Sequence, residues 1–349
     1  MKATILHAPH DIRLETVPDA AIAHPTDAVV RVVAACVCGS DLWPYRGISA
    51  IKEPRRMGHE FVGIVEEVGS DVRTVRSGVF VIAPFATSDG TCPHCRNGIT
   101  TSCERGDFWG ANDEFGLPFD GGQGQLVRVP LADGTLVATP ETPDASMVPD
   151  LLTLSDVMAT GHHAAVSARV GRGSKVVIVG DGAVGLCAVV ASVRLGAERV
   201  IMMSRHADRQ KLALQFGATD IVPERGEAGI EKVKELLGGI GADAALECVG
   251  TKESMDQAIK SVRPGGCVGY VGVPAGGPEL PIGYLFSNNI GIGGGVAPAR
   301  TYIPELLADV LAGSLQPGAV FDLTLPLDDV AEAYAAMDER RAIKSLLQP

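Results

Sequence analysis

From residue 1 to about 150, apolar and polar positions change places over short runs. Segments such as DAVVRVVAACVC, FVGIVEEVGS, VFVIAPFA and GQLVRVP are rich in valine and punctuated by glycine and proline. Short β-branched runs bounded by turn formers predict strands, and their frequent repetition predicts an all-β, barrel-like region. From about 174 the pattern changes. KVVIVG is a continuous apolar strand followed by the small-residue helix AVGLCAVVASVRLGA, and RVIMMS precedes the charged helix ADRQKLALQFGA. Further strands are expected at DIVP, AALECVG, GCVGYVGVP and NIGIGGG. Apolar strands without alternation, separated by helices, predict a parallel sheet covered on both faces. The tail from about 295 to 349 is mixed, with a helix expected around 302–313 and a last strand near AIKSLL. The expected class is α/β.

With 349 residues and 46% hydrophobic content, the chain is long enough to bury the cores of two domains. A net charge of −12 argues against nucleic acid or an anionic membrane as partner. No apolar run approaches the roughly 20 residues that span a bilayer, and MKATILHAPHDIRLETVP reads as a strand pair rather than a signal peptide. Of the cysteines, Cys187, Cys248 and Cys267 stand singly in apolar segments, where a reduced thiol is expected. A cytoplasmic location follows as an expectation, and there a C-x-x-C pair is more often a metal site than a disulfide.

Two places carry chemistry. The first is VVIVGDGAVGLCAVV, where Gly180, Gly182 and Gly185 follow a strand and open a helix. In such a loop one glycine permits the tight turn, the next lets backbone approach a pyrophosphate, and the third lets helix and strand pack closely. The next strand ends at Met203–Ser204, about 20 residues on, as a dinucleotide fold requires. The second is a scattered set of metal-binding residue types: Cys38 in VCGSD, His59 and Glu60 in MGHEFVG, and Asp156 in LTLSDVMATGHHAA. A catalytic zinc takes about three protein ligands and keeps one position open. Taken singly, the same residues also read as a buried thiol, a turn histidine and a helix cap.

GHEFVGIVEEVGSDV, with Gly63, Gly69 and Val72, resembles the signature of the zinc-containing medium-chain dehydrogenases. The resemblance continues in order through DGGQGQLVRVP, TGHHA, the glycine loop, ALECVG, VRPGG and VGVP, over essentially the whole chain. It implies a GroES-like β-barrel domain formed by 1–153 and 295–349, with a zinc lobe at 88–104. It also implies a Rossmann domain at 154–294, with the active-site cleft between the two. In that family Cys38 and His59 match catalytic-zinc ligands, and Asp156 matches a ligand that is aspartate in the bacterial secondary-alcohol enzymes. Glu60 matches a residue that can swing in to the metal, Asp41 one that orients the zinc histidine, and Ser40 the hydroxyl that takes the alcohol proton. Trp43 departs from the pattern, since many members carry a proton-relaying histidine there.

The family's zinc lobe has the spacing C-x2-C-x2-C-x7-C. Cys92, Cys95 and Cys103 fit its last three positions, and the first falls on Asp89. A carboxylate oxygen can complete a zinc tetrahedron. A Cys92–Cys95 disulfide and His94 as fourth ligand are the competing readings. For the cofactor, VIMMSRHADRQ has no acidic residue from 201 to 207, where NAD-specific proteins place a ribose-binding carboxylate. Ser204, Arg205, His206 and Arg209 stand there instead, and guanidinium suits a 2′-phosphate. The Ser-Arg pair resembles that of NADP-linked bacterial secondary-alcohol dehydrogenases. By the same resemblance Ala183, Val184, Val249, Val271, Val273 and Lys344 are expected to contact the cofactor, and Trp43, Phe85, Trp109 and Leu285 to line the substrate cleft. The implied function is reversible hydride transfer between NADP(H) and an alcohol or its ketone or aldehyde. Two zinc ions per chain and a homodimer or homotetramer are expected with it. A polyol or sugar dehydrogenase, a zinc-free enone reductase and a non-catalytic NADPH-binding protein are the alternatives.

Overall fold

Sixteen strands in three sheets organise the computed structural model, which describes residues 1–111, 116, 117, 119–274 and 279–349. The chain divides into two units, 1–156 with 298–349, and 157–297. The boundaries differ from the sequence expectation in one consequential way. Asp156, expected in the nucleotide-binding segment, belongs to the first unit together with Cys38 and His59.

In the first unit β1 (Lys2–Ala8) lies between β2 (Asp11–Thr16) and β4 (Arg55–Arg56). The larger sheet is built on β3 (Ala28–Cys36) and β5 (Phe61–Val68), and continues through β6 (Phe80–Ala83) to β8 (Val137–Ala138). On the other side of β3 come β16 (Ser345–Gln348) and β15 (Leu323–Pro326), and β7 (Leu126–Val129) also pairs with β3. Register shifts between Val29 and Val30 and between Val32 and Ala34 interrupt the β3–β5 ladder. Bulges of this kind bend a strand and increase its twist. The first half of β3 thus serves β7, while its end at Ala35 and Cys36 serves β16. That end delivers Cys38 to the metal site. Inside, Val30, Val32, Phe61, Val65, Val81 and Val127 form a core, each large side chain contributing about 1.5–3 kcal/mol on burial. Trp109 belongs to this core. It is 9% exposed, its indole N–H donates to the Pro84 carbonyl at 2.9 Å, and its ring meets Phe61 and Phe119 edge-on. Its expected place in a substrate cleft is corrected accordingly.

The second unit holds β9 (Lys175–Val179), β10 (Arg199–Met203), β11 (Asp220–Val222), β12 (Ala242–Glu247), β13 (Val262–Tyr270) and β14 (Gly291–Gly294). All pair in parallel, in the order β11-β10-β9-β12-β13-β14. Strand order reverses between β9 and β12, and doubly wound sheets hold ligands outside the carboxyl ends at such a point. Leu285, expected at the cleft, packs in this unit's core with Val268 and Ile290 and is 7% exposed. The edge strand β14 follows the helix Ile282–Asn288, on which Ile282 and Phe286 are exposed. Among the described residues no helix is long and apolar enough to cross a membrane.

Candidate functional site

Cys38 follows the bent end of β3, His59 and Glu60 sit in the turn entering β5, and Asp156 directly precedes the helix Val157–Ser167. The fold brings one ligand atom from each of the four within 4.8 Å of the others. Asp156 Oδ2 lies 3.6 Å from the Cys38 sulfur and 3.6 Å from His59 Nε2. The other imidazole nitrogen, Nδ1, faces Asp41 Oδ1 at 3.3 Å. Asp41 is anchored in turn, accepting the Cys38 backbone N–H at 3.0 Å and Gln123 Nε2 at 3.4 Å. The Tyr334 hydroxyl holds Gln123 from behind at 3.0 Å. Such a carboxylate fixes the tautomer of a metal-binding histidine, leaving Nε2 free for the ion.

The electrostatics call for a cation. Burial, with the nearby charges of Glu60 and Asp156, pushes the Cys38 thiol pKa up. Burial also raises Glu60, against the pull of Lys344. For His59 burial opposes the charged form, yet Asp41 and Cys38 lift its pKa well above the ordinary value. Three acidic groups crowded into a partly buried site repel one another, and a divalent ion would relieve that cost by holding them all deprotonated. Thiolate, imidazole and carboxylate together suit zinc.

Lys344 is used differently from the expectation. It is 1% exposed, and its ammonium donates to Glu60 Oε1 at 2.7 Å and to the Val37 carbonyl at 3.2 Å. A buried ammonium requires a paired counter-charge. Glu60 supplies it, so Lys344 is a fixture of the metal site. The Cys36 thiol donates to the other oxygen of Glu60 at 3.2 Å. Phe85 stacks on Phe108 and is 9% exposed, while Trp43 is half-buried.

A second donor set stands apart in the lobe around the short helix Pro93–Arg96. Asp89, Cys92, Cys95 and Cys103 bring their ligand atoms within 4.8 Å of one another. Asp89 Oδ1 accepts the backbone N–H groups of Thr91 at 2.7 Å and Cys92 at 2.9 Å. Burial opposes its ionisation, but those amides hold its pKa at about 2. An ionised oxygen therefore faces the three sulfurs. All eight cysteines are free thiols, and His94 is exposed outside the set. The geometry favours Asp89 over both competing readings.

In the second unit the glycine loop has the form a dinucleotide needs. Gly180 adopts φ +112°, closed to most side chains, and a Cβ on Gly185 would stand 1.8 Å from the Gly180 carbonyl oxygen. A Cβ on Gly182 would meet nothing, so that face of the loop is open to a ligand. The helix Ala183–Arg194 begins there with no side-chain cap, leaving its first N–H groups for an anion. Ala183 and Val184 are half-buried in its first turn. At the carboxyl edge of the sheet Val249 is 45% and Val273 53% exposed, with Val271 half-buried between β13 and Val273. Two residues at this edge escaped sequence reasoning. Glu247, fully buried, accepts the N–H groups of Val249 and Gly250 at 2.8 Å each and the Ser254 hydroxyl at 2.7 Å. Asp181, inside the glycine motif, accepts the Ser204 hydroxyl at 2.7 Å and an Arg209 N–H at 3.2 Å. An acidic residue within a glycine motif was the available signal. Arg205 is exposed and makes no ion pair among the described residues.

Comparison with known proteins agrees with this geometry. Residues 24–141 match the alcohol dehydrogenase GroES-like domain and residues 183–312 the zinc-binding dehydrogenase domain. The zinc-type alcohol dehydrogenase B of Aspergillus flavus is 31% identical over 100% of this chain and 81% of its own length. Among solved structures, the alcohol dehydrogenase TADH of Thermus sp. ATN1 superposes with a TM-score of 0.92 at 32% identity, covering 100% of this chain and 99% of that one. A Sinorhizobium meliloti 1021 protein, assigned as a zinc-binding dehydrogenase and solved bound to NADP, superposes with a TM-score of 0.85 at 27% identity, covering 100% and 99%.

Proposed function

Because this chain belongs to the zinc-binding medium-chain family of alcohol dehydrogenases, we propose that it transfers a hydride reversibly between NADP(H) and an alcohol or the corresponding ketone or aldehyde. The observation that carries this reading is the convergence of the Cys38, His59 and Asp156 donor atoms on one point, with the Ser40 hydroxyl 3.5 Å from His59 Nε2. When bound, zinc supplies a Lewis acid for the substrate oxygen and the nicotinamide supplies the hydride partner. The chain's own residues hold the metal, orient the substrate and move the proton. Asp41 keeps Nε2 of His59 aimed at the metal. Ser40 is exposed and receives the proton that leaves the substrate hydroxyl. Trp43 offers only an indole N–H, which donates and cannot accept. Trp43 therefore does not relay the proton, which leaves Ser40 by another route. Ser40→Ala is expected to lower kcat about a hundredfold with zinc content unchanged. A variant with parental kcat would remove Ser40 from the proton path.

The preference for NADP(H) is supported by the absence of a strand-end carboxylate, by the exposed Arg205 beside Ser204, and by the NADP-bound neighbour. A 2′-phosphate carries close to two charges, and a guanidinium meets its oxygens with charge-assisted hydrogen bonds. We expect kcat/KM to favour NADP(H) over NAD(H) by at least about tenfold, equivalent to about 1.4 kcal/mol. Arg205→Ala should erase most of that difference. Steady-state assays on secondary alcohols with both cofactors check it, and equal or better turnover with NAD(H) would sink the assignment.

A further inference from the structure

Between the first two glycines of the cofactor loop stands Asp181, a carboxylate only 7% exposed. Its Oδ2 accepts the Ser204 hydroxyl at 2.7 Å, and its Oδ1 accepts an Arg209 N–H at 3.2 Å. The same guanidinium nitrogen reaches the Asp181 carbonyl at 3.4 Å. Register explains the meeting. β9 and β10 pair in parallel with Val179 beside Met203, so the residues just past the two strand ends become neighbours. Ser204 is 2% exposed, and its carbonyl accepts Gln210 Nε2 at 2.7 Å, which fixes its position.

Two of the groups assigned to a 2′-phosphate are thereby already engaged. A serine hydroxyl has one proton to donate. That of Ser204 goes to Asp181, so its oxygen, which also accepts the His206 backbone N–H at 3.4 Å, can act toward a ligand only as an acceptor, which a phosphate cannot use. The Arg209 charge is balanced by Asp181, and of the two guanidiniums between 204 and 209 Arg205 makes no ion pair among the described residues. A partly buried carboxylate is weakly screened and opposes a second anion brought close to it. A ribose 2′-hydroxyl meets the opposite situation, because it is a donor and finds acceptors at Ser204 and Asp181. In NAD-binding proteins a carboxylate at the strand end plays that part.

We propose that Asp181 is a specificity-determining residue, supplied by the glycine loop, that holds the preference for the 2′-phosphorylated cofactor well below what Ser204 and Arg205 alone would give. This rests on the assignment of the adenosine ribose to Ser204 and Arg205. The test is calorimetric titration of the full-length, zinc-loaded protein with adenosine 2′,5′-bisphosphate and with adenosine 5′-monophosphate (AMP), ligands that differ only in the 2′-phosphate and need no turnover. Asp181→Asn keeps an acceptor for Ser204 and removes the charge. The ratio of the AMP Kd to the bisphosphate Kd is expected to rise at least about fivefold over the parent. Asp181→Ser, which also lacks the charge, should move the ratio the same way and serves if the first variant melts early. A smaller rise, no change or a fall overturns the proposal. Arg205→Ala in the same assay separates the two ideas. If it leaves the parental ratio untouched and the parent favours AMP, the Ser204–Arg205 assignment fails. If it lowers the ratio while the Asp181 variants do not raise it, only the role of Asp181 fails.

Discussion

Replacing Asp156 by alanine is expected to lower kcat/KM for alcohol oxidation by at least about a thousandfold, since a Lewis-acid metal contributes several kcal/mol at the transition state. The loss follows from the place of the carboxylate, whose Oδ2 lies equally close, at 3.6 Å, to the Cys38 sulfur and to His59 Nε2. Without it two strong donors remain, and Glu60 is tied to Lys344 at 2.7 Å. The fold should survive, and the stability change with and without metal is informative. In metal-free protein Asp156 raises the pKa of both Cys38 and Glu60 by repulsion, but it also pairs with His59 Nε2 at 3.6 Å and helps to raise the His59 pKa. Removing it relieves the repulsion and forfeits the pairing, two effects of opposite sign. Metal-free Asp156→Ala should therefore melt close to the metal-free parent, while the zinc-loaded variant loses the stabilisation that ion binding gives the parent. Thermal scans with and without chelator, alongside the assay, check both halves. Retained activity would remove Asp156 from the ligand set.

The second large effect is on stability, at Asp89. Asp89→Ala removes a ligand and also the acceptor of the Thr91 and Cys92 amides. Loss of a structural zinc removes folding free energy directly. If about 3 kcal/mol is lost, the melting temperature of a chain of 349 residues falls by roughly 4 °C. Asp89→Cys should hold zinc as well as or better than the parent, because thiolate is a strong zinc ligand. Asp89→Asn isolates the charge, keeping an oxygen acceptor for the two amides. Zinc retention and melting temperature measured across the three variants decide the matter. An Asp89→Ala protein that keeps its full zinc complement and melts like the parent would give the fourth position to His94 or water.

These two donor sets show what the sequence could and could not disclose. The glycine loop was legible because Gly180 needs its positive φ and Gly185 its space beside the Gly180 carbonyl, while Gly182 leaves the loop face open, and spacing alone expresses all three. The metal ligands were legible by residue type, and Asp89 by counting along a short lobe that folds on itself. Side-chain direction was not legible. Trp109 and Lys344 lie in segments whose neighbours come from far along the chain, Phe61 and Pro84 in one case and Glu60 in the other. Their burial depends on tertiary pairing that no local pattern carries. Asp181 was missed because a carboxylate was sought at the end of β10, whereas the parallel register with β9 lets the loop supply one. The unit boundary lies after Asp156, three residues beyond the expected one at 153, and so keeps Asp156 with Cys38 and His59.

We propose that one chain holds two zinc ions, one on Cys38, His59 and Asp156 and one on Asp89, Cys92, Cys95 and Cys103. Elemental analysis of metal-replete protein, referred to an absorbance-based chain concentration, tests it most directly. Two zinc ions per chain in the parent are predicted, with one in a Cys38→Ala/Asp156→Ala variant and one in Cys95→Ala. A parent that carries no more than one zinc, or a doubly substituted variant that still carries two, would contradict it.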